Sequence, residues 1–428
     1  MQRILLFVLV VILSGCAGNR NTNTQDLDRV VRELQLAAKM DPGNPVNFIT
    51  IGDAYLKAEK YDSALVQYNK ALQIKPGLNE ALMQKGTALW ALNRTKEAAK
   101  IFRRILYSEK GNVYVAKIGK VIGCPYKITR VSDDHGSNAF PGPSPLGEKL
   151  LFQSNRDGDW DIYIMNSDGN GVRQLTNNKA RDEAPVFSPD GYTFAFTSTR
   201  NDTIHTHLDD VTREIYLGNI NNGNVVRLTH NNSDDWAPLF SRDGKKLFFL
   251  SDRNDPRNVP AHEKTNDIFM ADLETKQVIA VTDFPGKKGL GGLDADGKHL
   301  FFSLNVNEKY DIYVKNMHRE AQRKFFGTDG DDAGVKLSHN GHKLVFFSNA
   351  NGNFDIYLVN MKDRNPVRLT CDAALDAYPV FSANDKKIYF HSNREGTFQI
   401  YAVDLTNFVE KDELNKLLTE ISKSTETK

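Results

Sequence analysis

The chain has 428 residues, with 55 Lys and Arg against 54 Asp and Glu, and a formal net charge of +1. This balance argues against a general nucleic-acid-binding protein, which needs a basic surface. The length allows two or three domains with packed cores. The three cysteines, Cys16, Cys124 and Cys371, are too few for a disulfide framework.

Arg3 lies near the start of the chain and is followed by an unbroken apolar run over residues 4–13. The run is about half of the ~20 residues that a membrane-spanning helix needs, so it predicts a targeting segment. It ends in Leu13-Ser14-Gly15-Cys16, which resembles the lipobox of bacterial lipoproteins. An ordinary signal peptide with a chance cysteine is the weaker alternative.

The lipobox resemblance implies a signal peptide over residues 1–15 and lipidation of Cys16, which would anchor the protein stably in a membrane. Residues 16–25 would then form the lipidated tether. Ala17, where an aspartate would favour retention in the inner membrane, implies the periplasmic face of the outer membrane.

Residues 26–110 show apolar positions at helical spacing, in a pattern that recurs after 34 residues. The copy from Pro45 to Pro76 and a looser second copy resemble the tetratricopeptide repeat (TPR), whose first helices line a concave groove. The resemblance implies a partner-binding face made of Asp53, Lys57, Met83, Thr87 and Trp90. Trp90 lies outside the packing signature and is the predicted anchor. The competing interpretation is that Trp90 packs against the next domain.

After a connector over residues 111–125, a unit of four short strands recurs six times. Each unit carries one of the pairs Ile162-Tyr163, Ile215-Tyr216, Ile268-Phe269, Ile312-Tyr313, Ile356-Tyr357 and Ile400-Tyr401. Successive aromatics are 53, 53, 44, 44 and 44 residues apart, which is typical of propeller blades with two insertions. The sixth unit lacks its fourth strand, and Tyr126–Thr129 offers an unmatched copy.

The predicted fold is therefore a multi-domain α plus all-β chain. A short helical-repeat array precedes a six-bladed β-propeller over residues 126–406, which an N-terminal strand closes. Residues 407–428 are predicted to form a C-terminal helix and tail, with the helix packed rather than held out for a partner. Strand direction would put Cys124 and Cys371 at opposite edges of the propeller, so we predict no disulfide between them.

The blades resemble the TolB-like (PD40) propeller group. The resemblance rests on the stretches 185–191, 152–156, 355–357 and 368–370, which read PVFSPDG, FQSNR, DIY and RLT. Blade four departs from this pattern, because Gly289–Leu293 replaces the proline-containing strand.

Few residues suggest a catalytic or metal-binding site. Asp157, Asp159 and Asp161 have calcium-like spacing without the glycine and bidentate glutamate of a calcium loop, which favours a structural role. No Gly-x-Ser-x-Gly elbow occurs, and Gly286–Gly292 lacks the spacing of a phosphate loop. We therefore predict no enzyme, no metal site and no cofactor.

Two insertions, Asn201–Arg213 and Asn254–Asn266, join equivalent strands of neighbouring blades and should emerge on the same face. They carry the candidate contact residues His205, His207, Asp209, Asp210, His262 and Glu263. A protein-contact surface and two solvated loops are both open interpretations, and each is favoured over a zinc site.

The combination resembles lipoproteins of the Bacteroidota that join TPR and TolB-like repeats, some in envelope assembly or type IX secretion. The resemblance implies a lipid-anchored, periplasm-facing interaction scaffold whose partners are proteins of an envelope or secretion complex. The OmpA-like domain of some such lipoproteins is not found in these 428 residues, so direct peptidoglycan binding is not expected. The alternative is a propeller that binds or processes a glycan or peptide in its central tunnel.

Overall fold

The computed structural model describes residues 22–202, 211–257, 259, 263–319 and 321–423. The chain forms two compact units. The helical unit comprises Met1–Pro125 and Val409–Lys428, and the propeller unit comprises Tyr126–Phe408. The proposed signal peptide and Cys16 lie outside the described residues.

The helical unit contains α1 (Thr22–Met40), α2 (Pro45–Lys57), α3 (Tyr61–Ile74), α4 (Asn79–Ala91), α5 (Thr95–Leu106), a 3₁₀ turn (Gly111–Tyr114), α6 (Val115–Ile122) and α7 (Lys411–Lys423). Local sequence fixes the start of α2, where Asn44 Oδ1 accepts the Val46 N–H at 3.1 Å and proline occupies the first turn. Within the described part of the chain, no helix is both long and apolar enough to cross a membrane.

In each of two helix pairs, a glycine that faces an aromatic ring lets the helices approach closely. A Cβ at Gly52 in α2 would overlap the Tyr68 ring in α3, and a Cβ at Gly86 in α4 would overlap the Phe102 ring in α5. Both rings are fully buried. The two pairs therefore use the same close approach, at positions that are 34 residues apart in the chain.

The C-terminal helix α7 covers the end of the helical array. It packs on α5 and buries Leu414 and Leu418 completely. Arg103 Nε donates to Asn415 Oδ1 at 3.1 Å. The predicted packed helix is thus observed, and the array is capped by a segment that is remote in sequence.

The propeller unit consists of six four-stranded antiparallel sheets. Blade one contains β2 (Asn138–Pro143), β3 (Lys149–Ser154), β4 (Asp161–Asn166) and β5 (Arg173–Gln174). Blade two contains β6 (Asp182–Phe187), β7 (Thr193–Ser198), β8 (Glu214–Asn219) and β9 (Val225–Arg227). Blade three contains β10 (Asp235–Phe240), β11 (Lys246–Ser251), β12 (Asp267–Asp272) and β13 (Val278–Ala280).

Blade four contains β14 (Lys288–Leu293), β15 (His299–Val306), β16 (Lys309–Asn316) and β17 (Gln322–Phe326). Blade five contains β18 (Asp332–Leu337), β19 (Lys343–Ser348), β20 (Asp355–Asn360) and β21 (Pro366–Arg368). Blade six contains β22 (Asp376–Phe381), β23 (Lys387–Ser392) and β24 (Gln399–Phe408), and β1 (Tyr126–Arg130) supplies its fourth strand.

The predicted fold, a six-bladed propeller closed by an N-terminal strand, is confirmed. Strand β1 pairs antiparallel with β24, with Ile128 opposite Val403. One detail of the prediction is wrong. In other blades the threonine after the fourth strand accepts a backbone N–H, as Thr176 Oγ1 accepts that of Ile162 at 2.9 Å. In blade six the equivalent acceptor is Ser132 Oγ, which accepts the Ile400 N–H at 2.9 Å. The closing copy therefore extends to Ser132 and does not stop at Thr129.

Repeated arginines and acids tie the strands together within several blades. In blade three, Arg253 Nη2 lies 2.7 Å from Asp235 Oδ2, and Arg253 Nε donates to Ser251 Oγ at 2.9 Å. Asp235 has no exposed surface. The pairs Arg200–Asp182 and Arg394–Asp376 repeat the contact in blades two and six. These contacts support the structural interpretation of the repeated polar residues.

Blade four departs from the repeat as the sequence indicates. Lys288 stands where most blades have the inner-strand aspartate, and its ammonium reaches Asp267 Oδ1 in blade three at 2.9 Å. The glycine-rich stretch that follows forms the inner strand β14. It therefore replaces the usual proline-containing strand, as predicted.

The prediction that Cys124 and Cys371 form no disulfide is wrong, because both are disulfide-bonded. Cys124 comes two residues before β1, and Cys371 comes three residues after β21. Both lie outside the strands, where strand direction alone does not fix the position of a residue.

Candidate functional site

The inner strands of the six blades, β2, β6, β10, β14, β18 and β22, are each paired on one side only. Each also carries a shift of register near its middle. At this level Phe140, Ala184 and Tyr378 adopt φ values of 52°, 51° and 51°. A bulge re-aims side chains and leaves backbone groups unpaired. The wall of the central tunnel therefore offers both open backbone edges and re-aimed side chains.

Aromatic side chains of blades five, six and one meet at this level. The centroid of Tyr378 lies 4.3 Å from that of Phe140, 5.2 Å from His391 and 5.3 Å from Phe347. We call these four residues the aromatic collar. Tyr378 keeps 45% of its surface exposed, yet burial raises its pKa. Its exposed surface therefore faces a space that the protein surrounds.

His391 fixes the backbone of the collar. The Phe140 N–H donates to His391 Nδ1 at 3.2 Å. Burial lowers the pKa of His391 to about 3, so its imidazole is neutral at physiological pH. The neutral ring can accept the Phe140 hydrogen bond and holds the bulge in place.

Charged groups lie near the collar. Arg213 Nε donates to Asp234 Oδ1 at 2.8 Å, and the Arg213 guanidinium lies 5.1 Å from the Trp236 ring. The charge of Arg213 acts on Tyr378 and lowers its pKa, against the larger effect of burial. The mouth of the tunnel thus combines an accessible aromatic ring with the Arg213–Asp234 ion pair, and apolar and polar groups that converge in this way suit an amphipathic ligand.

The two insertions are pinned at this end of the propeller by the same contact. Thr212 N donates to Asp202 Oδ2 at 2.6 Å, and Thr265 N donates to Asp255 Oδ2 at 2.7 Å. Of the predicted contact residues in these loops, Glu263 is exposed, and its backbone oxygen accepts from Arg257 Nη2 at 3.0 Å. The other predicted loop residues lie outside the described part of the chain: His205, His207, Asp209, Asp210 and His262.

The predicted face of the helical unit is unevenly accessible. Lys57 is exposed and Trp90 is half-buried, whereas Met83 is 7% exposed and offers little surface. Asp53 Oδ1 accepts from Tyr68 Oη at 2.8 Å, and burial raises the pKa of Asp53. Thr87 Oγ1 donates to the Met83 oxygen at 3.0 Å. The role of these five residues in binding stays a prediction.

Asp294, Asp296 and His299 form a group of potential metal ligands that the sequence analysis did not identify. Their ligand atoms all lie within 4.8 Å of one another. Asp294 Oδ2 already contacts His299 Nδ1 at 2.7 Å, and Asp296 pairs with Lys298 at 2.8 Å. These contacts organise the turn between β14 and β15, so the group has a structural explanation.

The aromatic collar was also missed. The third residue of each inner strand varies between blades, whereas the residue after it is proline in four of the six. The third residues are Phe140, Ala184, Ala237, Leu290, Gly334 and Tyr378. Two large aromatics at the variable position were the signal that could have indicated the site.

The family model for the TolB beta propeller domain (PD40) matches residues 55–206 and 335–414, a little more than half of the chain. The first range begins within the helical unit, whereas the blades themselves begin after β1. A TolB homolog of Chlorobium chlorochromatii is 30% identical over 186 residues, covering 33% of this chain and 42% of that protein. An uncharacterized protein of Agrobacterium fabrum is 29% identical over 138 residues, covering 31% and 44%. The chain thus spans less than half the length of these relatives.

Two solved structures have similar chain traces. TolB from Acinetobacter baumannii gives a TM-score of 0.47 at 19% identity and covers 70% of each chain. An oligogalacturonate lyase from Vibrio parahaemolyticus gives 0.47 at 16% identity, covering 65% of this chain and 93% of that one. The family match settles the classification, and the chain belongs to the TolB beta propeller domain family.

Proposed function

We propose that this protein is a lipid-anchored, periplasm-facing interaction scaffold of an envelope or secretion complex. The observation that carries the proposal is the mouth of the tunnel, where Tyr378 is 45% exposed beside Arg213 on a rigid propeller. Accessible aromatics and arginines on rigid frames are the residue types that dominate binding energy at protein interfaces. The TolB homolog among its relatives supports the same role.

The helical unit would supply a second binding surface. The matched contacts of Gly52 with Tyr68 and of Gly86 with Phe102 support a TPR array, because small residues at fixed positions let paired helices approach closely. The lipid on Cys16 would hold both units at the outer membrane.

Replacement of Cys16 by alanine is expected to abolish palmitate incorporation and to release the protein from the membrane fraction. Cys16 is the proposed acceptor of the lipid, and acyl chains supply the membrane affinity. Metabolic labelling with fractionation measures both effects, and Asn19→Ala is the control for a change in the tether. Unchanged labelling of Cys16→Ala would contradict lipid anchoring.

The substitution Trp90→Ala is expected to weaken binding of the protein partner by roughly 2 kcal/mol or more, while the melting temperature hardly changes. Trp90 is half-buried and therefore retains accessible surface on α4. Crosslinking followed by pull-down from native membranes measures retention of the partner. Tyr107→Ala removes an exposed aromatic outside the predicted face and serves as the matched control.

A lower melting temperature with the partner still bound would show that Trp90 is a packing residue, and the groove would lose its proposed anchor. Loss of the partner in both variants would indicate a general change in the helical unit.

The second candidate function is binding or processing of a peptide or glycan within the tunnel. The open backbone edges of the inner strands favour it, since an extended ligand can hydrogen-bond to such edges. Binding and scaffolding are compatible, because a partner protein can supply the peptide.

A further inference from the structure

The wall of the tunnel includes a lysine of blade five. Lys336 belongs to β18 in blade five, two residues beyond Gly334 at the bulge. Its Nζ donates to the backbone oxygen of Gly291, on β14 of blade four, at 2.7 Å. Two residues of strand span roughly 7 Å, so Lys336 lies about that far beyond the level of the aromatic collar.

Among the residues that the structure describes, no carboxylate lies within ion-pair distance of Lys336. Burial lowers its pKa to about 8. The same position in the other blades holds Gly142, Val186, Leu239, Gly292 and Val380. Lys336 itself is half-buried. A partly desolvated cation without a counterion at a cleft or tunnel is a candidate binding group.

The strand beside Lys336 is rich in glycine, so much of its backbone lacks covering side chains. Strand β14 reads Lys-Gly-Leu-Gly-Gly-Leu, and one of its edges is unpaired. A Cβ at Gly292 would lie 3.5 Å from Leu337 Cδ1, an ordinary contact, so a side chain would fit where none is present. An extended peptide can therefore approach β14 and pair with its edge.

Turns of three blades are linked at the end of the propeller beyond Lys336. Arg242 Nη2, in the turn of blade three, donates to the backbone oxygen of His339, in the turn of blade five, at 3.2 Å. His339 Nδ1 lies 2.9 Å from Asp385 Oδ1 in the turn of blade six. These contacts link the turns across the end of the propeller. A ligand that enters past the collar therefore meets Lys336 with its leading end.

We propose that the tunnel takes the C-terminal end of a peptide, which runs along the open edge of β14 and places its terminal carboxylate on Lys336 Nζ. The inference rests on the proposed binding function and specifies the ligand for the tunnel. The collar and Arg213 lie at the level where the preceding residues of the peptide pass.

A carboxylate fits this position better than a phosphate or a sugar acid. One lysine supplies a single point charge, whereas phosphate recognition more often uses several donors or the fork of an arginine. The equivalent residues of blades two, three and six, Val186, Leu239 and Val380, are aliphatic and add no hydrogen-bonding groups for hydroxyls or for further charged oxygens. The backbone edge of β14 supplies the donors and acceptors that a peptide main chain needs.

The test uses the full-length protein in detergent and a pool of random-sequence hexapeptides with free C-terminal carboxylates. The same pool with C-terminal amides is the comparison, and bound peptides are quantified by mass spectrometry. We expect at least about tenfold better retention of the free acids, the factor for losing one charge-assisted hydrogen bond. Lys336→Met should remove this preference and Lys336→Arg should keep most of it.

Two further variants guard against trivial effects. Lys343→Met removes a half-buried lysine from the same blade and should leave retention unchanged. Gly292→Val introduces the residue that blades two and six have at this position, so it should fold, yet it should reduce retention by covering the wall of β14. Equal retention of acids and amides, or full retention by Lys336→Met, would overturn the proposal.

Inorganic phosphate tests whether Lys336 binds a phosphate group instead of a peptide carboxylate. If phosphate alone raises the pKa of Lys336, followed by NMR of ¹³C-methylated lysines, and the free-acid pool does not, the peptide assignment is overturned. If neither pool binds while the native partner is still captured, the tunnel inference fails and the scaffold stands. If peptides bind through Lys336 and no partner is captured, the scaffold fails and the peptide site stands.

Discussion

A propeller that lacks β1 is expected to melt on the order of 10 °C or more below one that retains it, or not to fold at all. The strand supplies the fourth strand of blade six, and Ile128 packs against the core between blades five and six. Tyr126 stacks on Phe408 with ring centroids 5.5 Å apart. Loss of the strand removes these contacts and exposes the edge of β24.

The experiment compares chains that span 111–428 and 132–428 by thermal unfolding. A chain that spans 125–428 retains β1 and controls for removal of the preceding residues. Equal melting temperatures for the chains that begin at 111 and 132 would contradict the closing role of β1, and so would a loss for the chain that begins at 125 as large as for the shorter one.

The repeat was predictable because its marker residues do structural work in every blade. The isoleucine of each Ile-aromatic pair is fully buried, and the blade threonine accepts the N–H of that isoleucine in four blades. The pattern of threonines did not identify Ser132, although the Ser132 hydroxyl accepts the same backbone hydrogen bond. A search for one residue type misses a chemically equivalent neighbour, and this displaced the end of the closing copy.

The candidate site was less predictable because it depends on residues at which the blades differ. Lys336 occupies a position that holds small or aliphatic residues in the other blades, and Tyr378 one that does so in every other blade except blade one, which has Phe140. Their common location follows from closure of six blades about one axis, which brings together residues that are remote in sequence. Blade spacing predicts that the tunnel exists, and only the register of the inner strands shows which side chains enter it.

The capping of the helical array was unpredictable for a similar reason. The apolar stripe of α7 indicates a packed helix, but its partner α5 lies some three hundred residues away in the chain. The prediction therefore gave the correct element and left its neighbour open.

The substitution Arg253→Met is expected to destabilise the propeller by about 3 to 5 kcal/mol, the usual cost of removing one partner from a buried ion pair. Asp235 is fully buried, and Arg253 Nη2 contacts both of its carboxylate oxygens, at 2.9 and 2.7 Å. The guanidinium also lies 4.6 Å from the Phe269 ring. Methionine retains much of the volume and removes the charge, so the loss should be mainly electrostatic.

The loss should depend on pH in a defined direction. Burial already raises the pKa of Asp235 above its ordinary value, and the charge of Arg253 opposes that shift. Without Arg253 the pKa rises further, so the folded variant binds a proton that the unfolded chain releases above pH ~4. A raised acid contributes stability at low pH that is lost as the pH rises. The deficit of Arg253→Met should therefore be smaller near pH 5 than at pH 8.

Urea unfolding at the two pH values measures the deficit, and two controls identify its origin. Arg94→Met breaks an exposed pair with Glu97 and should have little effect at either pH, because water screens such pairs. Adding Asp235→Asn to Arg253→Met removes the buried charge and should recover part of the stability, mostly at pH 8. A deficit that is equal at both pH values and unaffected by Asp235→Asn would show that Arg253 acts through packing on Phe249 and Phe269 and not through its charge.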